Sequence, residues 1–391
     1  MMRKKLTRRH HAALCLLTAG LLTTAVPLKA LASPDFAYSE ERWAQLRDDR
    51  LEFEEIADLV HEYNNTVIQN RITYQDEKDK SSDDIAQEYY DRANEIYSNI
   101  EYPDSDDSSY GSRMASALNS ELQADQLMER GDESTDDSET LKLDYDQTEA
   151  SLVKQAQGLM ITYWNQYYSL DTLRDRKQQA EQSLQTEQTR LAAGMSTQAK
   201  LLSAQEAVTS AESSILSSES SLARTKESLC LMLGWTYGAQ VEITELPEPD
   251  LAAIDAINLE ADIQTALENN YTYKKTTKQL ANARTTTVHQ TLEQTQKKQK
   301  ETISNNVADS YSSLLLARSN YEQAQQALEI QRTSYESAGR KLQAGTITQK
   351  AYQTQQSSYL AAEVTVRTRK QSLLQAMVDY RWNVDGLASA S

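Results

Sequence analysis

The chain has 391 residues, 58 acidic against 40 basic, for a net charge of −18, a balance that argues against a nucleic-acid partner held through phosphate contacts. Only ten glycines and five prolines are present, so long helices are the expected product. Two Phe stand against 21 Tyr, an amphipathic aromatic content suited to half-buried surfaces and not to one large globular core.

Residues 1–32 read as a secretory signal: a basic start (Arg3, Lys4, Lys5, Arg8, Arg9), an apolar stretch from Ala12 to Val26, and the small-residue cleavage site Ala30-Leu31-Ala32. The mature chain then begins near Ser33 and is exported to the cell envelope. Loss of the signal's six basic residues leaves it at −24. Cys15 lies inside the signal, so Cys230 is alone in the mature chain, a small apolar residue on a helix face with no disulfide partner in the same subunit. No later apolar run is long enough to span a bilayer as a helix.

A first repeat is expected over 33–234. It opens with a helical segment from about Glu40 to Ile72. Residues 76–140 follow, with 20 Asp/Glu against five Lys/Arg, and clusters such as Ser81-Ser82-Asp83-Asp84 and Asp132-Glu133-Ser134-Thr135-Asp136-Asp137 read as a solvated, disordered insertion. Their spacing lacks the Gly and ligand pattern of an EF-hand loop.

Residues 152–233 superimpose on 303–384 at a constant offset of 151 without a gap. Leu191 meets Leu342, Gly194 meets Gly345, Thr197 meets Thr348 and Ala211 meets Ala362. Apolar spacing in both copies is heptad-like, with Leu201, Val208, Ile215, Leu222 and Leu229 answering Tyr352, Tyr359, Val366, Leu373 and Tyr380. Leu191-Ala192-Ala193-Gly194-Met195-Ser196-Thr197 and Leu342-Gln343-Ala344-Gly345-Thr346-Ile347-Thr348 combine a Gly that ends one helix with a Thr that caps the next. Each copy is therefore a helical hairpin with a short tip. Residues 235–257, with Pro247 and Pro249, form the linker between repeats, with one short strand at Gln240 to Thr244. The second repeat covers 258–391, opening with a helix from about Asn258 to Ala283. The fold class is all-α: long antiparallel heptad-patterned hairpins in two tandem repeats.

Arg190 through Thr197, Leu231-Met232-Leu233-Gly234, and Lys341 through Thr348 in this duplicated arrangement resemble the TolC-type outer membrane efflux protein family. The resemblance covers about residues 40–72 and 141–388. It implies a homotrimer whose twelve helical rods enclose a tunnel, the exit duct of a tripartite efflux or secretion system. It also implies that the hairpin tips dock a membrane-fusion-type adaptor protein and, through it, an inner or cytoplasmic membrane pump. Carried over residue by residue, the adaptor-binding tips are Arg190, Leu191, Gly194, Met195 and Thr197, with Leu342, Gly345, Thr346 and Thr348. Family members that span an outer membrane insert a β-hairpin in each repeat. Here neither 76–140 nor 284–301 alternates apolar residues over the roughly ten-residue strands that lipid requires, so the barrel strands are not expected.

Catalysis finds no support. His61 and His289 read as isolated on polar helices; no metal-ligand spacing and no phosphate-binding glycine loop occurs, so no metal site or cofactor is expected. The competing reading is an exported coiled-coil scaffold or surface protein without a pore.

Overall fold

The computed structural model describes residues 37–104 and 108–390; the signal segment 1–32 lies outside them. In chain order the elements are α1 (Glu40–Leu46), β1 (Arg50–Leu51), a 3-10 turn (Phe53–Glu55), α2 (Ile56–Tyr63), α3 (Asn65–Glu77), α4 (Ser82–Ser98), α5 (Tyr110–Glu133), α6 (Ser138–Ala192), α7 (Gln198–Met232), β2 (Glu242–Ile243), α8 (Leu251–Asp255), α9 (Leu259–Asn269), α10 (Tyr271–Asn282), α11 (Thr286–Gln343), α12 (Gln349–Trp382) and a π-helical turn (Asn383–Leu387). The all-helical expectation holds. The described strands are two residues each and pair in parallel, Arg50 with Glu242 and Leu51 with Ile243.

Side-chain caps set the helix starts. Asp137 accepts from Thr140 N at 2.8 Å ahead of α6, and Thr285 from Val288 N at 3.3 Å ahead of α11. With 55 and 58 residues, these two helices are rods of roughly 80–90 Å. α6 packs on α7, α11 on α12, and α12 on α6, so the order across the layer is α7, α6, α12, α11. Contacts along the middle seam pair rising numbers with falling ones: Lys154 with Asp379 at 3.0 Å, Asp171 with Arg367 at 3.6 Å, Asp175 with Ser357 at 3.1 Å. α6 and α12 are therefore antiparallel, and both tips point to the same end. The described residues form two cores. One gathers Trp43, Leu51, Ile56, Met160, Leu229 and Ile243 from the first half, and the other Ile254, Leu267, Ile303, Leu314, Leu373 and Tyr380 from the second.

Each expected opening helix is broken at a buried asparagine, and the first is broken also between Leu46 and Ile56, where β1 and the 3-10 turn intervene. Asn64 caps α3 by accepting from Thr66 N (2.9 Å), while its Nδ2 donates to Met232 O (2.8 Å) at the end of α7. Asn270 caps α10 by accepting from Tyr273 N (3.0 Å), and its Nδ2 donates to Gly386 O (3.1 Å) and Ala388 O (2.8 Å) just past α12. One amide thus stops a helix, starts the next and clips it to the returning arm. Asn270→Ala removes the cap and leaves buried carbonyls short of a donor, so it is expected to cost about 2–4 kcal/mol. Urea unfolding of Asn270→Ala and Asn270→Asp checks this; an unchanged midpoint in the alanine variant would mean that the joint contributes nothing.

His61 is not isolated. Its Nδ1 lies 2.8 Å from Glu149 Oε1 on α6, and Arg71 of α3 donates to its carbonyl. The hydrogen bond to Glu149 raises the His61 pKa, against the opposing effect of burial. A raised folded-state pKa means that the stabilisation is fully present below the unfolded value of about 6.5 and is lost as pH rises through the folded value. The stability gap between wild type and His61→Gln should therefore close with rising pH. Denaturant titrations from acid to mildly alkaline buffer read this directly, and a gap independent of pH would refute it.

The acidic segment 76–140 departs from the disordered insertion expected of it, although 105–107 lie outside the described residues. α4 and α5 form an antiparallel helical hairpin. Buried Ala86 and Ala93 face Ala117, Ala124 and Gly131, all at seven-residue spacing, so the two backbones approach closely. A Cβ on Gly131 would meet the Tyr90 ring at 2.3 Å, which is why glycine stands there. The carboxylates line the solvated faces, and some accept cross-hairpin bonds: Tyr90 OH to Asp132 (2.8 Å), Tyr97 OH to Asp125 (2.5 Å) and Tyr102 OH to Glu121 (3.1 Å). The second repeat makes only a tight reversal at the corresponding place. Arg284 in that reversal donates to Ser134 O (2.5 Å), Ser82 Oγ (3.2 Å) and Asp83 (2.7 Å) at the foot of the hairpin, and Asn282 to Thr135 O (3.0 Å) and Asp137 (2.8 Å).

Candidate functional site

Both tips close with the same backbone hydrogen bonds. Gly194 N donates to Leu191 O (2.9 Å) and Met195 N to Arg190 O (2.7 Å); Gly345 N donates to Leu342 O (2.9 Å) and Thr346 N to Lys341 O (2.9 Å). These are Schellman closures, and they need a left-handed residue, which Gly194 (φ 71°) and Gly345 (φ 67°) supply. Thr197 then accepts from Lys200 N (3.4 Å) and Thr348 from Ala351 N (3.2 Å), starting the return helices. Arg190, Gly194, Met195, Thr197, Gly345, Thr346 and Thr348 are exposed, and Leu191 and Leu342 are half-buried beneath them. Glu187 ties the first tip together, pairing with Arg190 (3.3 Å) and accepting from Ser196 Oγ (2.5 Å).

The seams behind the tips differ. The first repeat uses Leu184, Leu201 and Val208, whereas the second has Tyr335, Tyr352 and Tyr359 at the same offsets. Tyr335 stacks on Tyr352 and on Tyr359 with ring centroids 5.4 Å and 5.3 Å apart, and the Tyr335 and Tyr352 hydroxyls share a 2.8 Å hydrogen bond that raises the Tyr335 pKa.

Farther along, the two outermost helices present bare apolar positions. On α7, Leu202 and Leu216 are 51% and 66% exposed; on α11, Leu316 and Ile330 are 63% and 64% exposed. Each pair is spaced by fourteen residues, two heptads, out of phase with the intrachain seam. Thr209 and Ala223 continue the α7 stripe and Gln323 and Ser337 the α11 stripe, with no charge in either run. Reading only the seam missed these faces; aliphatics repeating at the heptad step on a second face were the available signal.

Cys230 is buried and unbonded to another sulfur, and burial pushes its thiol pKa up. Among the described residues no group of three or more His, Cys, Asp or Glu side chains is placed to hold a metal ion, and no described helix is long and apolar enough to cross a membrane.

Residues 98–235, from the end of α4 through the first tip to the linker, match the family model described as outer membrane efflux protein. No curated protein matches the chain. Among solved structures, the chain is similar to the outer membrane protein VceC of Vibrio cholerae, with 11% identity, a TM-score of 0.53, and coverage of 89% of this chain and 99% of that one. It is similar also to a membrane protein of Pseudomonas aeruginosa (13% identity, TM-score 0.55, 85% and 90% covered) and to the outer-membrane channel OprN (11% identity, TM-score 0.55, 89% and 93% covered). At such identities the likeness is one of fold. The resemblance to the TolC-type outer membrane efflux proteins, first read from the duplicated tips, holds in both the family match and the shared helical architecture.

Proposed function

We propose that this chain is the exit-duct component of a tripartite efflux or secretion system in the cell envelope. Three copies close into a tunnel, an adaptor docks at the tips, and exported substrates pass through without chemistry of the duct's own. The observation that carries the reading is the pair of aliphatic-bearing heptad stripes on α7 and α11, exposed at Leu202, Leu216, Leu316 and Ile330, at opposite edges of the helical layer. A face of this kind buries itself against another helix. Because the two edges differ, joining α7 of one copy to α11 of the next is a head-to-tail contact, and such contacts close into a ring when the rotation allows. A spacer rod needs neither two bare edges nor two tips in register.

At the outer end the helical hairpin α4–α5 stands where membrane-spanning relatives of the family carry strands. The duct accordingly ends in the wall or extracellular layer, or against another protein, instead of in a lipid-facing barrel. Light scattering with negative-stain imaging of the mature protein tests the assembly. A trimeric hollow cylinder supports the duct; a solid monomeric or dimeric rod replaces it with the scaffold.

A further inference from the structure

Where the inter-repeat linker arches over the seam between α6 and α12, the surface encloses a trough of about 700 Å³, within the size range of small-molecule sites. Its floor is apolar, formed by Leu314, Ile254, Leu374 and Val378, all buried, with Phe53 and Met377 on its walls. Its polar rim is unbalanced. Glu248 is occupied by Lys370, and Asp250 caps α8 by accepting from Ala253 N at 3.0 Å. Glu54, Asp262 and Asp385 also line the trough and form no ion pair with any described residue. Asp262 accepts from Tyr380 OH at 2.6 Å, a neutral donor. Arg381 is the single cationic side chain in the lining. Burial raises the Asp385 pKa, and the nearby Arg381 opposes that by lowering it.

We propose that this trough binds a monovalent organic cation with a bulky apolar body, the body on the aliphatic floor and the charge among the lining carboxylates Glu54, Asp262 and Asp385. A neutral apolar ligand would leave the rim carboxylates uncompensated, and an inorganic cation would leave the floor wet. None of Leu202, Leu216, Leu316 and Ile330 lines the trough, so ring closure through those positions does not consume it. The inference is independent of the duct reading and holds for a monomer as well.

Isothermal titration of the mature protein with tetraphenylphosphonium, alongside tetraphenylborate, tests it, the two ions sharing a shape and opposing in charge. Saturable binding of one phosphonium per chain is expected. Glu54→Gln and Asp385→Asn should each weaken it about fivefold and the double variant roughly twentyfold, with unchanged circular dichroism. Three results would overturn the proposal: no phosphonium binding, borate binding equally well, or a folded double variant that binds phosphonium as wild type does. Because Glu54 is exposed, Glu54→Gln alone keeps the test decisive if the Asp385 substitution disturbs the turn after α12.

Discussion

Replacing Leu202 and Leu216 on α7 with glutamate is expected to convert the assembled protein into folded monomers. In the single chain both side chains are more than half exposed, so the substitutions should change monomer stability by no more than about 0.5 kcal/mol each. In the closed ring each leucine becomes buried and contributes about 1.5–3 kcal/mol per interface. An unpaired carboxylate in that place adds a desolvation cost of several kcal/mol, and Glu206, Glu212 and Glu219, one turn away on α7, add like charge. Loss of two leucines per interface, about 3–6 kcal/mol, amounts to roughly a hundredfold or more in association constant at 1.4 kcal/mol per decade. Leu316→Glu with Ile330→Glu should do the same from the α11 side. Placing glutamates on one edge and lysines at Leu316 and Ile330 on the other should restore part of the assembly. Molar mass by light scattering and helicity by circular dichroism separate the outcomes; a variant that keeps the wild-type mass would show that α7 and α11 are not the contact.

The hairpins were legible because their signals are local and doubled. A stop at Gly194 and a start at Thr197 could each occur by chance, but the same pair recurring at Gly345 and Thr348 fixes where both helices turn. Register followed as well, since Leu201 through Leu229 mark one face without interruption. The asparagine joints were not legible. Asn64 and Asn270 sit in otherwise helical stretches, and nothing local says that their amides reach Met232 and Gly386, far along the chain.

The acidic hairpin misled for a different reason. Counting 20 acidic residues in 76–140 describes its surface, whereas Ala86, Ala93, Ala117 and Ala124 decide whether two helices can meet. Alanine carries little hydrophobic weight, so its heptad spacing is lost among the charges. The cation trough lies beyond sequence reading altogether, because Glu54, Asp262 and Asp385 line one trough only through the fold of both repeats. His61 belongs with it: its partner Glu149 comes from another helix.

Met195→Asp combined with Thr346→Asp is expected to abolish pump-dependent export, at least tenfold below wild type, while leaving mass and melting temperature unchanged. Both residues are exposed, and the Met195 side chain takes no part in its turn, whereas Thr346 Oγ1 donates to Lys341 O at 2.9 Å beside the backbone bond that closes the second turn. Their exchange alters chiefly what an approaching surface meets, removing the exposed Met195 side chain, a flexible residue type suited to such contacts, and adding charge to both tips; the one bond lost within the fold is the exposed Thr346 hydroxyl to Lys341 O, while the backbone bond to the same carbonyl stays. Gly194→Ala with Gly345→Ala is the contrasting pair. A Cβ at either glycine meets nothing within 4 Å, so the penalty is the left-handed backbone alone, roughly 1–2 kcal/mol per site, and export should fall only as far as the turn distorts. If docking governs function, the aspartate pair loses export without losing stability and the alanine pair loses stability with export largely retained. Continued export by a trimeric Met195→Asp, Thr346→Asp protein would remove the tips from the docking surface and leave them as turns.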